Sequence, residues 1–478
     1  MTQQSELPIL VVDLDGTLIR TDMLFESFWA SVSSDSRTLY LTLKSLCMGR
    51  AALKAHLAAS VAIDSASLPY KIAVLDIIRN WREQGGRVAL VTAADRQAAE
   101  AIANHLGLFD EVHASDGVRN LKGRAKAEFL VSRFGAGNFD YIGDARADLP
   151  VWECARRAVT VDASAPLRKA VEAISSDFRH LQTEQRKWAT YLKALRPHQW
   201  LKNTLVFLPA VAAQSGSVEI WTNSVLAFIA FSLIASSVYI LNDLADLSAD
   251  RAHPRKRNRP FASGAVPLSH GAVMSFGLWL AGILTALAIG RPEFLVLLFG
   301  YYALTVAYSF SLKRRLMIDI FLLASFYSLR VLAGGIASGL VLSEWLLAFS
   351  IFIFLSLAAL KRQAELTDGV ATGRAQATGR AYHVDDLPIV TMMAIGSGYV
   401  SVLIMALYIS TPMVQSHYNT PQALWGICLV LLYWVSHMVM TAHRGNMDDD
   451  PIVFAMRDLA SQVCSLLIVG IVLTASFL

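Results

Sequence analysis

The hydrophobic pattern of the chain changes near residue 200. Before that point, short apolar runs such as 89–91 alternate with helical stretches such as 96–106. This alternation is typical of an α/β domain with a doubly wound parallel sheet. After Leu205, long apolar segments follow one another and are separated by short charged loops. The pattern therefore predicts an α/β domain followed by an all-α membrane bundle.

Nine of the apolar segments are candidate membrane spans. The first is weak because Pro209 and several polar residues interrupt it, although neighbouring helices can cover such backbone. The nine segments lie near residues 204–220, 223–241, 269–289, 292–310, 317–338, 342–360, 388–410, 422–441 and 459–478.

Basic residues cluster in the loops that follow the second, fourth, sixth and eighth spans, whereas Arg291 is the one basic residue in the opposite loops. By the positive-inside rule the basic loops are cytoplasmic. This orientation places the N-terminus inside and the C-terminus outside. We therefore expect a multi-pass protein of a bacterial inner membrane.

The composition agrees with a membrane protein. The 478 residues are 54% hydrophobic and 17% charged, and the mean hydropathy is +0.44, which is too apolar for an ordinary soluble chain. The net charge is only +4, so the placement of charges is more informative than their sum. The four cysteines form no CxxC pair and indicate neither a disulfide framework nor a zinc site.

We divide the chain into an N-terminal domain at 1–182, a linker at 183–202 and a membrane domain at 203–478. Residues 20–75 are expected to form a small helical cap on the first domain. The linker carries an apolar stripe at helical spacing, flanked by basic residues. It is either a helix on the anionic inner leaflet or an ordinary docking helix between domains.

A charged segment follows directly on the second span. The spacing of its carboxylates places Asp243, Asp246 and Asp250 on one face of a helix. Carboxylates at a membrane edge are costly unless they bind something, and their oxygens suit Mg²⁺ that is shared with phosphate. We therefore predict a magnesium–diphosphate site at the mouth of a helix bundle. The segment reads Asn242-Asp243-x-x-Asp246-x-x-x-Asp250-x-x-His253-Pro254-x-Lys256-x-x-Arg259-Pro260.

Arg330 lies well inside the fifth span, where a charge should face a cavity or a partner. Asp319 precedes it by about three helical turns on the same face. With the other charged residues of the cytoplasmic edge, these two indicate a polar chamber. A purely structural buried ion pair is the alternative.

The segment 242–260 resembles the first aspartate-rich motif of the UbiA superfamily of intramembrane prenyltransferases, and nine spans fit that fold. The second acidic motif of the superfamily is altered here, which counts against an aromatic prenyltransferase of the quinone or haem pathways. In its place the chain reads Lys361-Arg362-Gln363-Ala364-Glu365-Leu366-Thr367-Asp368.

Further stretches between residues 190 and 460 look like one branch of the superfamily, the decaprenyl-phosphate phosphoribosyltransferases. That resemblance implies transfer of 5-phosphoribose from phosphoribosyl diphosphate to a polyprenyl phosphate, with release of diphosphate. The stretches include Arg196-Pro197-x-Gln199-Trp200-x-Lys202-Asn203, Tyr308-Ser309-x-x-x-Lys313 and Arg444-Gly445-x-Met447-x-Asp449-Asp450-Pro451.

The resemblance also implies roles for individual residues. Asp243, Asp246 and Asp250 would hold Mg²⁺ on the leaving diphosphate. Contacts with the phosphates and the sugar are expected from a larger polar set. Its members are Lys202, Asn203, Asn242, Lys256, Arg259, Tyr308, Lys313, Arg330, Lys361, Arg362, Glu365, Arg444, Asp449 and Asp450.

In the first domain, polar residues follow apolar strands. Asp13 and Asp15 follow the first strand, Thr92 ends the second, and Asp144 and Asp148 come after a third. Ligands bind at the carboxyl ends of the strands in such folds, so these side chains are expected to meet.

This ordered set, with Lys126 at the start of a helix, resembles the four motifs of the haloacid dehalogenase (HAD) superfamily of phosphatases. The resemblance implies that Asp13 is the nucleophile and that Asp15 protonates the leaving alcohol and later activates water. Thr92 and Lys126 would hold the transferring phosphoryl group. Mg²⁺ would be held by Asp13, the backbone carbonyl of Asp15 and Asp144, with Asp148 in support.

These features together predict a bifunctional membrane enzyme with one Mg²⁺ in each domain and no nucleic-acid partner. The membrane domain would make polyprenylphosphoryl-5-phosphoribose for cell-envelope glycans, and the HAD domain would remove its 5-phosphate on the same cytoplasmic face. Two alternatives stay open. One is an aromatic prenyltransferase joined to an unrelated phosphatase, and the other is a transporter or flippase for phosphorylated lipid with an attached phosphatase.

Overall fold

The computed structural model describes residues 7–34, 63–116, 120–183, 188–373, 380–447 and 450–477. The chain forms two compact units. The first combines Met1–Leu195 with Tyr239–Phe276, and the second combines Arg196–Val238 with Gly277–Leu478. The segment with the three aspartates therefore belongs to the same compact unit as the N-terminal domain.

Six strands form the centre of the first unit. They are β1 Ile9–Val12, β2 Val88–Asp95, β3 Glu111–Ser115, β4 Phe139–Gly143, β5 Arg157–Val161 and β6 Phe178–Leu181. All pairs are parallel, and the order across the sheet is β3-β2-β1-β4-β5-β6. The order reverses between β1 and β4, which is where open α/β sheets bind ligands. This arrangement confirms the predicted doubly wound α/β fold.

Helices cover both faces of this sheet. Alternate residues of β1 pack into two separate apolar cores, which explains why the whole strand is apolar. The second and third helices contribute to one core, and the fourth, fifth and sixth contribute to the other. The helices are α1 Met23–Ser34, α2 Ile72–Glu83, α3 Arg96–Leu106, α4 Arg124–Phe134, α5 Leu149–Cys154, α6 Ala165–Ile174 and α7 Trp188–Leu195.

Part of the predicted linker forms α7. Trp188 and Leu192 are exposed on this helix, with relative exposures of 85% and 60%. The hydroxyl of Tyr191, in contrast, lies 2.9 Å from Nδ1 of His270 within the same unit. One side of α7 is therefore docked by a polar contact, and the other side presents apolar side chains.

The remaining helices follow in chain order. They are α8 Leu208–Ala212, α9 Val218–Ala245, α10 Leu247–Ala252, α11 Leu268–Leu287, α12 Pro292–Phe310, α13 Ile318–Ser338, α14 Glu344–Ala371, α15 Leu387–Ile409, α16 Pro412–His417, α17 Trp425–His443, α18 Pro451–Arg457 and α19 Leu459–Phe477. Within the described residues, eight helices are long and apolar enough to cross a membrane. They confirm eight of the nine predicted spans, and they are α9, α11, α12, α13, α14, α15, α17 and α19.

The first predicted span, at 204–220, differs from a continuous α-helix. A 3₁₀ segment, Pro197–Phe207, leads into the short helix α8. A 3₁₀-helix rises about 2 Å per residue, whereas an α-helix rises about 1.5 Å per residue. The 3₁₀ segment and α8 together therefore extend about 30 Å, which is the thickness of the hydrocarbon core of a bilayer. A crossing here therefore needs fewer residues than an α-helical span.

This segment packs along α13. Asn203 bonds Arg330, and a Cβ on Gly334 would lie 2.0 Å from the carbonyl oxygen of Val206. Residue numbers rise together in the two elements, so the segment runs parallel to α13. A side chain at position 334 would separate the two backbones, and only glycine allows this approach.

Candidate active sites

The carboxyl ends of β1 and β4 bring the predicted phosphatase residues together. Asp13 directly follows β1, and Lys126 lies in the first turn of α4. The ammonium of Lys126 is 2.9 Å from Oδ2 of Asp13 and is 2% exposed. Burial alone would lower the pKa of Lys126, but the carboxylates of Asp13 and Asp148 outweigh it and raise that pKa. Lys126 is therefore held as a cation beside the predicted nucleophile.

Three carboxylates converge at this point. One oxygen each from Asp13, Asp144 and Asp148 lies within 4.8 Å of the others. Burial, together with the charges of Asp13 and Asp148, raises the pKa of Asp144 to about 7. Gly16 has a φ of +70°, and a Cβ there would lie 2.2 Å from Oδ2 of Asp144. Crowded carboxylates with hard oxygen donors fit a divalent cation such as Mg²⁺, which would relieve their mutual repulsion.

Asp15 occupies a different environment from its neighbours. Its Oδ1 accepts a hydrogen bond of 2.8 Å from the backbone N–H of Met23. Loss of solvent and the nearby charge of Asp22 raise its pKa well above the ordinary value. A carboxyl whose pKa is raised in this way is better suited to donate a proton than an ordinary aspartate.

Thr92 is fully buried in β2, the strand next to β1. Its Oγ1 accepts a hydrogen bond of 3.0 Å from the backbone N–H of Ala94. This bond does not use the hydroxyl hydrogen, which can therefore be donated to a phosphoryl oxygen.

The sequence did not single out three further residues of this centre. Tyr141 receives a hydrogen bond from Lys126 and donates one to Asp148, both of 2.9 Å. Thr17 donates to Asp144 over 3.1 Å. The ammonium of Lys71 donates to the carbonyl of Gly16, which lies 55 positions earlier in the chain. In sequence, Tyr141 resembles any apolar strand residue, and no local pattern distinguishes Lys71. Of the three, only Thr17 could have been identified from sequence, because it lies in the motif that contains Asp13 and Asp15.

The spacing of the aspartates predicted one continuous helix, but the aspartate-rich segment is divided between two helices. The helix α9 ends at Ala245, and Asp246 precedes α10 with φ −96° and ψ 17°. Asp243 and Asp250 are buried and still converge, because Nη1 of Arg259 donates to both, over 3.2 Å and 2.6 Å. Asp246 and Asn242 are partly buried, and Lys256 is exposed.

Among the described residues, only the trio at Asp13 brings three ligand atoms of the His, Cys, Asp and Glu type within 4.8 Å of one another. Asp243 and Asp250 nevertheless offer two buried carboxylates around one guanidinium. Their oxygen donors match the preference of Mg²⁺, which usually takes one or two carboxylates together with phosphate oxygens. The residues present therefore fit a metal shared with a diphosphate.

The second unit contains a buried polar network around Asp319, which is fully buried near the start of α13. Its carboxylate pairs with Arg362 at 2.5 Å and with Arg380, and it accepts a hydrogen bond of 2.6 Å from Tyr308. Arg362 also pairs with Glu365. Three predicted site residues, Tyr308, Arg362 and Glu365, therefore meet, together with Arg380, which was not among them.

Arg330 has partners other than Asp319. Its guanidinium donates to Oδ1 of Asn203 over 2.7 Å, to the hydroxyl of Tyr301 over 2.8 Å and to the carbonyl of Phe326. The structural ion pair between Arg330 and Asp319, which was the alternative to a polar chamber, does not form. Neutral acceptors bond Arg330, and other arginines pair with Asp319. A buried guanidinium whose three nitrogens each donate a hydrogen bond fixes the geometry around it.

The other predicted cations occupy varied positions. Lys202 is buried, pairs with Asp450 and lies 6.0 Å from the centre of the Tyr327 ring. Lys313 and Lys361 are partly buried, and Arg444 is exposed. Asp449 lies outside the described residues.

Gln363 was also not among the predicted contacts. Its side chain is fully buried in α14. Neither polar atom of its amide has a hydrogen-bond partner among the described residues. Unpaired buried amides are rare and costly, so this one calls for a partner beyond the described residues.

Two family models match the chain. Residues 204–461 match the UbiA prenyltransferase family, and residues 10–153 match the haloacid dehalogenase-like hydrolases. The two matches fall on the helical part and on the six-stranded sheet, respectively.

Several proteins are similar to this chain. The uncharacterized protein y4nM of Sinorhizobium fredii is 37% identical over 455 residues, which are 95% of this chain and 88% of that protein. The nodulation protein NoeC of Azorhizobium caulinodans is 36% identical over 289 residues, which are 60% of this chain and 93% of that protein. The decaprenyl-phosphate phosphoribosyltransferase of Mycobacterium tuberculosis strain H37Rv is 38% identical over 192 residues, which are 39% of this chain and 63% of that protein.

Proposed function

Because the chain belongs to the UbiA prenyltransferase family and carries a HAD-like domain at its N-terminus, we propose that it is a bifunctional membrane enzyme. Its membrane domain transfers 5-phosphoribose from phosphoribosyl diphosphate to a polyprenyl phosphate such as decaprenyl phosphate. Its HAD domain then removes the 5-phosphate. The assembled centre at Asp13, in a chain similar to a decaprenyl-phosphate phosphoribosyltransferase, is the observation that carries this proposal.

In the transferase step, C1 of ribose loses its bond to diphosphate and gains one to an oxygen of the lipid phosphate. The acceptor is already anionic, so no general base is needed. Asp243 and Asp250 would hold Mg²⁺, which would supply charge neutralisation to the leaving diphosphate. Arg259, which bonds both carboxylates, keeps them oriented and adds a positive charge to the same place.

The second unit holds cations of its own in fixed positions, and their role in this proposal is to contact substrate phosphates. Arg330 and Arg362 are each held by several polar neighbours, so their guanidinium groups lose little freedom when a phosphate binds. Lys202 contributes a compact ammonium near Tyr327. Preorganised cations of this kind stabilise charge without reorganising during the reaction.

In the phosphatase step, a carboxylate oxygen of Asp13 attacks phosphorus, and the ribose 5-oxygen leaves with the proton of Asp15. The resulting aspartyl phosphate is hydrolysed by water, which Asp15 deprotonates. Lys126 and the hydroxyl of Thr92 hold the transferring oxygens. Mg²⁺ held by Asp13 and Asp144, supported by Asp148, would add charge neutralisation at phosphorus.

The two activities are tested together with purified full-length protein, labelled phosphoribosyl diphosphate, polyprenyl phosphate and Mg²⁺. Wild type should yield a lipid-linked ribose without the 5-phosphate, whereas Asp13→Asn should leave that phosphate in place. Asp243→Asn should abolish lipid labelling altogether. Mass spectrometry of the lipid product separates these outcomes, and identical products from wild type and Asp13→Asn would contradict the coupled reaction.

A further inference from the structure

Two large apolar side chains are exposed on α7. Trp188 is 85% exposed and Leu192 is 60% exposed. They are four positions apart, so they lie next to each other along one edge of the helix. Neighbouring apolar side chains that the fold leaves exposed indicate a surface that contacts something outside it.

Another edge of α7 is fixed to the first unit. Ala194 is 1% exposed, and the hydroxyl of Tyr191 lies 2.9 Å from Nδ1 of His270. The rings of Tyr191 and His270 also pack together, with their centroids 6.0 Å apart. His270 is the third residue of α11, so this contact holds α7 against the first turn of α11.

The helix α11 is long and apolar enough to cross a membrane, and 22% of its most apolar stretch is buried. Most of its surface is therefore available to lipid. Val273, which follows His270 by about one turn on the same side, is 73% exposed. Because α7 is attached at the end of this side, we expect it at the level where the hydrocarbon core of the bilayer begins.

The side chains of α7 have the chemistry that this level favours. The ring centroids of Trp188 and Tyr191 are 5.9 Å apart, and tryptophan and tyrosine are enriched where a bilayer meets water. Lys193 is exposed and lies about 100° around the helix from Leu192. From such a position a lysine can bring its ammonium to lipid phosphates while its stem covers apolar atoms. An apolar edge beside a cation is typical of a helix that lies in the membrane interface.

We propose that the edge of α7 formed by Trp188 and Leu192 binds the phospholipids of the leaflet in which α11 begins. The two side chains lie at the boundary between headgroups and acyl chains, and Lys193 contacts lipid phosphates. The helix α7 therefore has two partners, because Tyr191 holds it on α11 while Trp188 and Leu192 enter the lipid. This surface goes beyond the proposed reactions and gives the first unit a membrane contact outside the spanning helices.

The test follows Trp188 in full-length protein that carries 5-fluorotryptophan and is reconstituted in nanodiscs of phosphatidylcholine and phosphatidylglycerol. The fluorine resonance that disappears in Trp188→Phe belongs to Trp188. Trp152, which is fully buried in an apolar core of the sheet, is the internal control. Its resonance is identified in the same way with Trp152→Phe.

Two paramagnetic probes then report what lies next to the Trp188 ring. A nitroxide on the lipid acyl chain, close to the headgroup, should remove most of the Trp188 signal, because paramagnetic broadening falls steeply with distance. A water-soluble gadolinium chelate should remove less of that signal. The Trp152 signal should keep its intensity with both probes.

A loss of Trp188 signal that is equal or greater with the chelate would overturn the inference, because the edge of α7 would then face water. Little loss with either probe would overturn it as well, since protein, such as a second copy of this chain, would then cover the edge. Both outcomes are independent of the two proposed reactions, whose products are measured separately.

Discussion

At the scale of residues, Asp144 links the metal site to pH. Its pKa is raised from 3.8 to about 7 by burial and by Asp13 and Asp148. Between these values the folded protein holds a proton that the unfolded chain has lost, so without metal the free energy of unfolding falls as pH rises through this window. A bound cation requires the ionised carboxylate and should remove that loss.

We therefore expect saturating Mg²⁺ to raise the thermal unfolding midpoint of the full-length protein more at pH 8 than at pH 5. Asp144→Asn should lose most of this difference, because position 144 then carries no titrating carboxyl. Asp76→Asn, which changes an exposed carboxylate on α2, is the control and should behave as wild type. An equal effect of Mg²⁺ at both pH values would speak against metal binding by Asp144.

Gln363 offers a second test at this scale. A buried amide with unpaired donor and acceptor fits the hydroxyl groups of a sugar, which can both donate and accept. Gln363→Leu should preserve or raise the unfolding midpoint, since it removes an unpaired polar group, while raising KM for phosphoribosyl diphosphate about tenfold. Transferase assays with a titration of this substrate measure the effect. A lower unfolding midpoint with an unchanged KM for phosphoribosyl diphosphate would show that the amide has only a packing role.

The meeting of Asp13, Asp144 and Lys126 could be predicted because the motifs that contain them follow strand ends in a fixed order. Tyr141 and Lys71 could not, because their roles arise from side chains that meet only when distant segments pack. The partners of Asp319 could not be predicted for a related reason. Spacing along α13 places Arg330 on the same face as Asp319, but Arg362 and Arg380 approach from other parts of the chain. Helical spacing alone carries no information about such neighbours.

At the scale of elements, α1 and α10 are joined by a buried ion pair. Nη1 and Nη2 of Arg251 donate to the carboxylate of Glu26, over 3.0 Å and 2.6 Å, and Nε donates to the carbonyl of Ala262. Arg251 directly follows Asp250. The N-terminal domain therefore fixes the end of the aspartate-rich segment, although the two lie far apart in sequence.

Glu26→Gln should lower both the unfolding midpoint and the transferase rate. It leaves Arg251 buried without a counter-charge, which typically costs about 3–5 kcal/mol. Glu26→Leu combined with Arg251→Met should lose less stability than the two single changes added together, because neither charge is then stranded. Arg255→Gln, at an exposed position nearby, is the control. A Glu26→Gln protein with full transferase activity would show that the pair does not position the segment.

Gly334 determines how closely the 3₁₀ segment approaches α13. Gly334→Ala should reduce the unfolding midpoint and the yield of folded protein, because its Cβ would meet the carbonyl oxygen of Val206. Gly300→Ala is a matched change within the membrane helix α12, and nothing lies within 4 Å of its added Cβ. It should be neutral or stabilising, since alanine favours a helix by about 1 kcal/mol over glycine. Similar midpoints for the two variants would contradict the close packing.

Long apolar helices could be predicted from composition alone, because crossing a bilayer demands a long run of apolar residues. The 3₁₀ segment could not be recognised, since its apolar run is short and is interrupted by Pro209. β3 and β6 also lacked a signal, because they lie at the two edges of the sheet and most of their residues are partly exposed. Edge strands need fewer apolar residues than central ones, so their sequences resemble loops.

At the scale of the whole molecule, the number of crossings decides where the two ends of the chain lie. Eight helices alone would return the chain to the side of the membrane on which it began. We expect the segment 197–212 to add a ninth crossing, which would place the C-terminus on the opposite side. The segment runs parallel to α13, so it starts on the same side as the basic loop that contains Lys313. By the positive-inside rule we expect that side to be the cytoplasm.

Reporter fusions in a bacterial host test this parity. Green fluorescent protein fused to the N-terminus should fluoresce. The same protein fused to the C-terminus should not, because it would be exported unfolded. Alkaline phosphatase fused to the C-terminus should be active. Fusions placed after Arg444 give the internal control, because that loop is basic and should report the cytoplasm. A fluorescent C-terminal fusion would show that the 3₁₀ segment does not cross. Both ends would then be cytoplasmic, and the contact with Gly334 would belong to a segment that enters the bilayer and returns.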